Sequence, residues 1–527
     1  MLILIKKKNK IFYALLLMVF STLCFANIPL YLRSNVLSSG YSGKLTWYPL
    51  IVLASYYLYQ LHKGYIHPER LKITPVIFVK FLLTYLSVTL LSTFLGLIIF
   101  PYADLYAGHG TSSAWVYYVS HILASFKMDL TPAEIFKIQI ILRTIKGTVL
   151  SALYTWGFSY VLYYFISNKP IFYYNLLIKG IHISLGFLFS YSFIEIFYLM
   201  GSDYAVHLIA DITPFFHAIG ENGSWWPPLF FPGRLRSIFA EPSYLGLYVA
   251  FIMPFLWEQF FEKKILINGS IVFLFSFMIF MTQSRTAVVI FLAEEVLFIL
   301  LVLFSHNKQM LLKVSLMLGI SLLAFSAAIF FPYNLYKENV TEVNLHFNSM
   351  ASKYLNENVS SVAKAEVGQK SNNSRYSVLK ANVALGIDYP ILGVGTNLNS
   401  AYLPDYINDD ALANNIEIQK WVKDTKQNGM LVSGIPNMGE YVTRFSQNGL
   451  IGFTMFMIPW ITILLKMPKK LVKLKSDTKH LLKAGTIFIA FLGTLIGGCG
   501  DNLTILYTPW ILLSFAFSFT FEKLEDL

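Results

Sequence analysis

Charged residues and cysteines are scarce in this chain. Only 13% of its 527 residues are charged, whereas 56% are hydrophobic, and there are two cysteines. A soluble globular protein carries about 25% charged residues, so the composition excludes a water-soluble fold. Two cysteines within apolar segments exclude a disulfide-stapled secreted fold. The chain is therefore expected to be a polytopic membrane protein.

Several motifs with known chemistry are also missing. The sequence has no P-loop, no dinucleotide fingerprint, no Cys/His metal spacing and no Gly-x-Ser-x-Gly elbow. We therefore expect neither a metal nor another cofactor. The net charge of +12 is compatible with nucleic-acid binding, but the Lys and Arg residues lie mostly at the edges of apolar segments. No nucleic-acid partner is expected.

Long apolar segments dominate what is present. A bilayer core about 30 Å thick needs about 20 apolar residues per helix, and helices are the only single-segment solution there. Segments of that kind predict an all-α fold with about twelve transmembrane helices. Their approximate ranges are Ile11–Pro29, Leu45–Leu61, Pro75–Phe100, Gly147–Ile166, Ile181–Met200, Ser243–Phe260, Ile265–Met281, Thr286–Phe304, Leu311–Phe331, Gly449–Leu465, Gly485–Cys499 and Leu503–Phe521.

The distribution of basic residues predicts the orientation. With the N-terminus inside, twenty Lys and Arg residues fall on the cytoplasmic side and five in the short outer loops, which favours cytoplasmic termini. The first segment is interpreted as an uncleaved signal anchor. The predicted organisation is five helices in residues 1–200, a periplasmic loop at 201–242, four helices in 243–331, a large periplasmic loop at 332–448 and three helices in 449–527.

Arginines recur where helices are expected to start on the outer side. Pro242 suits a first helical turn, Ser284 can cap the next start, and Asn372-Asn373-Ser374 precedes a third, which Gly386 is expected to end. The arginines at the four starts are Arg234 with Arg236, then Arg285, Arg375 and Arg444.

These helix starts have the chemistry of an anion site. Helix N-termini present free amides and a positive dipole end, and guanidinium groups bind phosphate bidentately. The pattern predicts an outward-facing cavity for a pyrophosphate-bearing or otherwise polyanionic substrate. The alternative is that each arginine only snorkels to the membrane interface.

Carboxylates are the second clue. Glu241 and Glu440 stand at the same helix starts, either as ion-pair partners of the arginines or as the base that deprotonates a sugar hydroxyl. Asp501, in a short outer turn, is a weaker candidate for that base. Glu294 and Glu295 lie inside an apolar segment and are interpreted as structural.

Together these motifs resemble a known superfamily. The segment Arg234–Gly246, Thr282-Gln-Ser-Arg285-Thr, the Arg375-x10-Gly386 spacing and the turn Tyr389–Gly395 resemble the O-antigen polymerase and O-antigen ligase superfamily of bacterial surface-polysaccharide assembly. Members of the ligase branch carry a His-Asn pair where this chain has Pro436-Asn437. The resemblance therefore favours a polymerase over a ligase.

The resemblance implies a specific reaction at the periplasmic face of the inner membrane. A GT-C-like glycosyltransferase would join undecaprenyl-pyrophosphate-linked oligosaccharide repeats by inverting, metal-independent transfer, in contact with membrane lipids and with a chain-length regulator protein as partner. The implied catalytic residues are Glu440, Glu241 and Arg285, and the implied substrate-binding residues are Arg234, Arg236, Arg375 and Arg444.

Two other functions remain open from the sequence. One is ligation of the glycan to lipid A-core, and the other is transport by a lipid-linked oligosaccharide flippase. Flippases usually show two related halves and short loops. This sequence shows neither.

Overall fold

The computed structural model describes residues 2–34, 39–64, 71–218, 233–262, 264–331 and 370–524. Within these ranges the chain consists of helices, turns and irregular segments, with no β-strand. Helices suit so apolar a chain because each satisfies its own backbone N–H and C=O groups. The predicted all-α polytopic fold is confirmed.

Every predicted apolar segment coincides with a helix. We number these helices α1 to α12: Leu2–Ser21, Trp47–His62, Pro75–Ile98, Pro132–Ile166, Pro170–Leu199, Pro242–Glu262, Ile265–Thr282, Arg285–Phe304, Lys308–Phe330, Glu440–Lys473, Thr478–Gly500 and Thr508–Phe521. In the described ranges, the nine helices α3 to α11 are long and apolar enough to cross a membrane. Helices α1, α2 and α12 contribute shorter apolar stretches, of which α2 has 16 residues and α12 has 14.

Helix α4 begins earlier than predicted. The sequence placed its start near Gly147, but the helix starts at Pro132 after a capping box in which Thr131 and Glu134 bond each other's backbone N–H. The box and the proline at the first helical position start the helix within polar sequence. A π-helical turn at Leu153–Gly157 then interrupts it.

Helix α6 is the centre of the bundle. It packs against α7, α8 and α11, and α8 also packs against α11. At the end of the bundle away from Thr282 and Gly500, Lys483 of α11 donates to Glu258 of α6 at 2.8 Å and to Glu262 at 3.0 Å. Lys483 is buried and paired, so it is part of the helix bundle.

Short helices fill the two long loops. In the first of them, the helix Asp203–Phe216 follows α5. His217, directly after this helix, contacts the loop between α1 and α2, where Asn27 Nδ2 lies 3.1 Å from His217 Nε2. In the second loop the described helices are Lys370–Asp388, Asn399–Tyr406, Asp409–Asn414 and Ile416–Asn428. The apolar residues of this loop predict a small core of its own, built from Tyr354, Val362, Tyr376, Leu379, Val383, Ile391, Leu392, Val394, Tyr402, Ile416, Trp421 and Val422. The described helices do enclose a small core, formed by Val378, Ala381, Leu403, Ile407, Ala411, Ile418 and Ile435.

The predicted members of that core divide into two groups. Val394 and Tyr402 are buried, whereas Ile391 and Ile416 are more than half exposed. Others of the predicted set, such as Tyr354, lie outside the described residues. Hydropathy identified the packed region without identifying which apolar side chains face inward.

Candidate active site

Several helix ends meet at one end of the bundle, which we call the site end: the starts of α6, α8 and α10 and the end of α11. The backbone N–H of Leu503 donates to Glu440 at 3.0 Å. A Cβ placed on Gly500 would lie 3.6 Å from the hydroxyl of Thr286, and one on Gly439 would lie 2.8 Å from the Cys499 carbonyl. Three of the four predicted helix starts therefore adjoin the end of α11.

The segment before α6 lies along the turn before α8. Leu235 N–H donates to the Met281 carbonyl at 3.0 Å, and Arg234 Nη2 donates to the Gln283 carbonyl at 2.6 Å. Arg234 is thereby held at the turn that leads into Arg285. The structure brings these two arginine-bearing segments together.

Both of these helix starts have the predicted form. Helix α6 begins at Pro242. Helix α8 begins at Arg285, and the side chain of Ser284 accepts from the Ala287 N–H as its N-cap. Arg285 therefore stands in the first turn of α8, where the free amides and the positive helix dipole favour an anion.

Arg236 has a different environment from the other arginines. Its side chain is only 1% exposed, and its Nη1 donates to the Ala240 carbonyl at 2.6 Å. Burial lowers the pKa of Arg236, and Glu195 opposes that effect. Glu195 also accepts from the backbone N–H of Ser237 at 2.7 Å and of Arg236 at 3.2 Å. Arg236 and Glu195 hold the loop in place inside the protein.

Arg375 stands near two carboxylates. Burial raises the pKa of Asp501 to about 6, with Arg375 acting against the rise and Glu241 adding to it. Glu241 accepts from the Ser243 hydroxyl at 3.1 Å. Tyr244, in the first turn of α6, interacts electrostatically with all three charged groups. A cation and two carboxylates thus share the site end.

The helix that carries Arg375 differs from its prediction at both ends. It begins at Lys370, so Arg375 lies in its second turn. It also runs through Gly386 to Asp388, where the following Pro390 prevents continuation. A Cβ on Gly386 would lie 2.4 Å from the ring of Phe445. Gly386 is therefore required for packing against α10 and does not end the helix.

Glu440 and Arg444 lie in a cavity of about 230 Å³. The guanidinium of Arg444 donates from Nε to Glu440 Oε1 at 2.7 Å, and it stacks over the Phe456 ring at 5.1 Å. Arg444 Nη1 also lies 3.4 Å from the Tyr85 hydroxyl. Because Leu503 N–H binds the other oxygen, both oxygens of Glu440 are engaged.

The walls of this cavity combine aromatic rings with polar side chains. The aromatic residues are Tyr41, Tyr85, Trp156, Phe456 and Trp510, and the amides are Asn397, Asn437, Gln447 and Asn502. Asn399 connects two of these amides, since its Nδ2 donates to Asn437 at 3.3 Å and its Oδ1 accepts from Gln447 at 2.8 Å. Rings and fixed amides are suited to a ligand with apolar faces and many hydroxyl groups.

A turn from the large loop is inserted into a break in α10. Gly449 has non-helical dihedrals inside α10, and Leu450 N–H donates to the Pro390 carbonyl at 2.7 Å. Gly393 has φ +67°, and a Cβ there would lie 2.4 Å from the Gln447 backbone. Only glycine combines that dihedral with such a close approach. The turn Tyr389–Gly395 therefore fixes the start of α10, which carries Glu440 and Arg444.

Comparison with protein-family models gives one match. Residues 270–422 match the model described as O-Antigen ligase. The resemblance to the O-antigen polymerase and ligase superfamily is confirmed. The match covers less than a third of the chain and includes Arg285, Arg375 and the turn Tyr389–Gly395. No curated protein and no solved structure matches the chain.

The superfamily match supports a coarse description of activity. Over residues 270–422 the chain is similar to glycosyl-transferring enzymes of the O-antigen polymerase or ligase kind, a family that implies lipid-linked oligosaccharides as substrates. Its long apolar helices are those of a multi-pass membrane protein. Among the described residues, no group of three or more His, Cys, Asp or Glu side chains could hold a metal ion.

The structure therefore divides the predicted site residues into three neighbouring sets and one outlier. The sets are Arg234 with Arg285, Arg375 with Glu241, and Glu440 with Arg444; Arg236 is the buried outlier. Sequence reasoning did not find Glu195, whose only signal was a carboxylate within the apolar segment of α5. It also could not show that Asn437 lines the cavity.

Proposed function

We propose that this protein polymerises undecaprenyl-pyrophosphate-linked oligosaccharide repeat units into O-antigen or a related surface polysaccharide. The supporting observation is that Arg234, Arg285 and Arg375 lie at the site end, beside an aromatic and amide-lined cavity of about 230 Å³. The arginines suit a pyrophosphate and the cavity suits sugars. The reaction takes place at the periplasmic face of the bacterial inner membrane, with both termini in the cytoplasm.

The arginines supply the charge that the reaction needs. The growing chain on its lipid pyrophosphate is the donor, and one repeat unit is the acceptor. Attack by the acceptor oxygen on the face opposite the pyrophosphate inverts the anomeric carbon. Arg285, Arg375 and Arg234 neutralise the departing pyrophosphate, and arginines that stabilise phosphoryl leaving groups can be worth about 10³–10⁵ in rate. This transfer proceeds without a metal ion.

The assignment as a polymerase is supported by the position of Asn437. In the ligase branch a histidine precedes the equivalent asparagine, and here Pro436 stands in its place. Asn437 is bound to Asn399 at the cavity wall. The acceptor is accordingly another lipid-linked repeat and not lipid A-core. A chain-length regulator protein would act as partner.

Arginine variants test the proposal. Arg285→Ala and Arg375→Ala should each abolish polymer while the protein still inserts into the membrane. Lysine at either position should rescue poorly, because it lacks the bidentate fork. Arg143→Ala is the matched control, since Arg143 is exposed on α4 and donates only to the Thr111 hydroxyl among the contacts described.

Purified protein is incubated with lipid-linked repeats isolated from a strain that lacks this protein, and the formation of a polymer ladder is measured. Ladders indicate a polymerase, transfer to added lipid A-core indicates a ligase, and protected transport without elongation indicates a flippase. Full-length polymer from Arg375→Ala at normal protein level would refute the anion-site reasoning.

A further inference from the structure

Three carboxylates stand at the site end, and their hydrogen bonds differ. Glu440 binds Arg444 Nε through one oxygen and Leu503 N–H through the other. It is 3% exposed. Removing one partner of a buried ion pair is strongly destabilising. Glu440 is therefore committed to holding Arg444 in the cavity wall.

Glu241 is partly engaged as well. Its carboxylate accepts from the Ser243 hydroxyl at 3.1 Å, and its backbone carbonyl accepts from Tyr244 N–H at 3.1 Å. Glu241 directly precedes Pro242, the first residue of α6. A carboxylate beside a helix N-terminus is stabilised by the positive end of the helix dipole.

Asp501 differs from both. It follows the last residue of α11, and its N–H donates to the Gly497 carbonyl at 3.0 Å, so its backbone is fixed. Its Oδ2 atom is buried and has no hydrogen-bond partner among the described residues. An oxygen that is held in place and unengaged can accept a proton without loss of an existing bond.

Charged and polar groups approach Asp501 from two elements. Arg375 approaches from the Lys370–Asp388 helix, and Glu241 and Tyr244 from the start of α6. Asp501 also lines a cavity of about 40 Å³, whose wall includes Glu294 of α8. The next residue, Asn502, lines both this cavity and the larger one. Asp501 thus lies near Arg375 and Glu241, and the residue that follows it in the chain reaches the larger cavity.

We propose that Asp501 is the general base that accepts the proton of the acceptor hydroxyl. This rests on the proposed function. The acceptor O–H bond breaks and its proton passes to Asp501 Oδ2. The oxygen's electron pair forms the new bond to the anomeric carbon of the donor. The bond from that carbon to the pyrophosphate oxygen breaks, and its electron pair leaves with undecaprenyl pyrophosphate.

The electrostatics agree with this role. A general base works best when its pKa lies near the working pH, and burial raises the pKa of Asp501 to about 6. Its position at the C-terminal, negative end of α11 disfavours the charged form further. Activity should therefore rise with pH through about 6 and reach a plateau once Asp501 is ionised.

The test compares Asp501→Asn and Asp501→Glu with wild type in the purified full-length protein. Initial elongation rates are measured between about pH 5 and pH 8, with lipid-linked repeats from the deletion strain. Binding of undecaprenyl pyrophosphate is measured in parallel. Asp477→Asn is the matched control, because Asp477 caps the opposite end of α11 and asparagine preserves a cap.

Asp501→Asn should lower the rate by about 10²–10⁴-fold, the usual contribution of a general base, and remove the rise through pH 6. It should bind undecaprenyl pyrophosphate as wild type does. Asp501→Glu should recover part of the rate with a displaced pH profile. Glu241→Gln should move the rise to lower pH, because it removes a neighbouring negative charge.

Three results would overturn the proposal. They are an Asp501→Asn rate within tenfold of wild type, loss of undecaprenyl pyrophosphate binding in that variant, and disappearance of the pH dependence in Glu440→Gln instead. Failure of the proposed function is recognised separately. In that case the wild-type protein itself forms no ladder from the purified repeats, and the base assignment falls with it.

Discussion

The wall of the larger cavity contains a glycine that has open space around an added Cβ. Gly147 of α4 lines the 230 Å³ cavity, and a Cβ built there meets no atom within 4 Å. Replacing a glycine in a helix interior by alanine increases the free energy of unfolding by about 0.5–1 kcal/mol. Gly147→Ala should therefore fold as well as wild type, and Gly147→Leu and Gly147→Phe extend the series into the cavity.

The effect on activity should grow with side-chain size. Alanine adds one methyl group and should leave elongation nearly normal. Leucine and phenylalanine reach into the space where the sugar is expected to bind. A misplacement of about 1 Å can cost about 10²-fold in rate, so the phenylalanine variant should lose at least that factor, about 2.7 kcal/mol in the activation barrier.

The assay is the initial elongation rate with purified lipid-linked repeats, accompanied by the thermal unfolding midpoint of each variant. The control is the same series at Gly319 of α9, an exposed helical glycine that also has no atom within 4 Å of an added Cβ. A Gly147→Phe protein with a wild-type midpoint and normal elongation would show that the substrate does not occupy this cavity.

Three further predictions concern topology and stability. In a cysteine-free background, a single cysteine at Lys420 should react with an impermeant thiol reagent in outer-permeabilised cells, whereas one at Lys475 should not. Labelling at Lys475 would contradict the proposed topology. Gly393→Ala should destabilise the protein by at least about 1–2 kcal/mol, the cost of placing an L-residue in the left-handed region. Gly147→Ala should not, so equal unfolding midpoints for the two variants would contradict the prediction. Burial and two neighbouring arginines lower the pKa of His217 from 6.5 to about 4. As the pH falls through this interval, the unfolded chain binds a proton that the folded protein does not, so the free energy of unfolding should decrease by up to about 3 kcal/mol. Unfolding midpoints against pH should show this loss in His207→Gln, an exposed control, and not in His217→Gln.

Local sequence determined the helices and their starts. Apolar segments of sufficient length located all twelve helices, because the period and length of an apolar run depend only on residues near in sequence. Pro242 and Ser284 marked helix starts correctly for the same reason, since a cap bonds N–H groups two or three residues away. The resemblance to the superfamily rested on such short motifs.

Only the tertiary structure decided what each motif residue does. Arg236 shares a motif with Arg234, yet Glu195 from another helix holds its loop and buries it. Gly386 looked like a helix stop, but the ring of Phe445 explains it. These outcomes depend on contacts between residues far apart in the chain, which no local pattern encodes.

The same holds for the acid–base chemistry. Glu440 and Asp501 are both carboxylates expected beside helix ends, and from the sequence Asp501 was the weaker candidate for the base. The fold pairs Glu440 with Arg444 and Leu503 and leaves an oxygen of Asp501 without such a bond. Sequence determined which chemical groups are available, whereas burial and hydrogen bonding, which exist only after the helices pack, are the basis on which we propose Asp501 as the base.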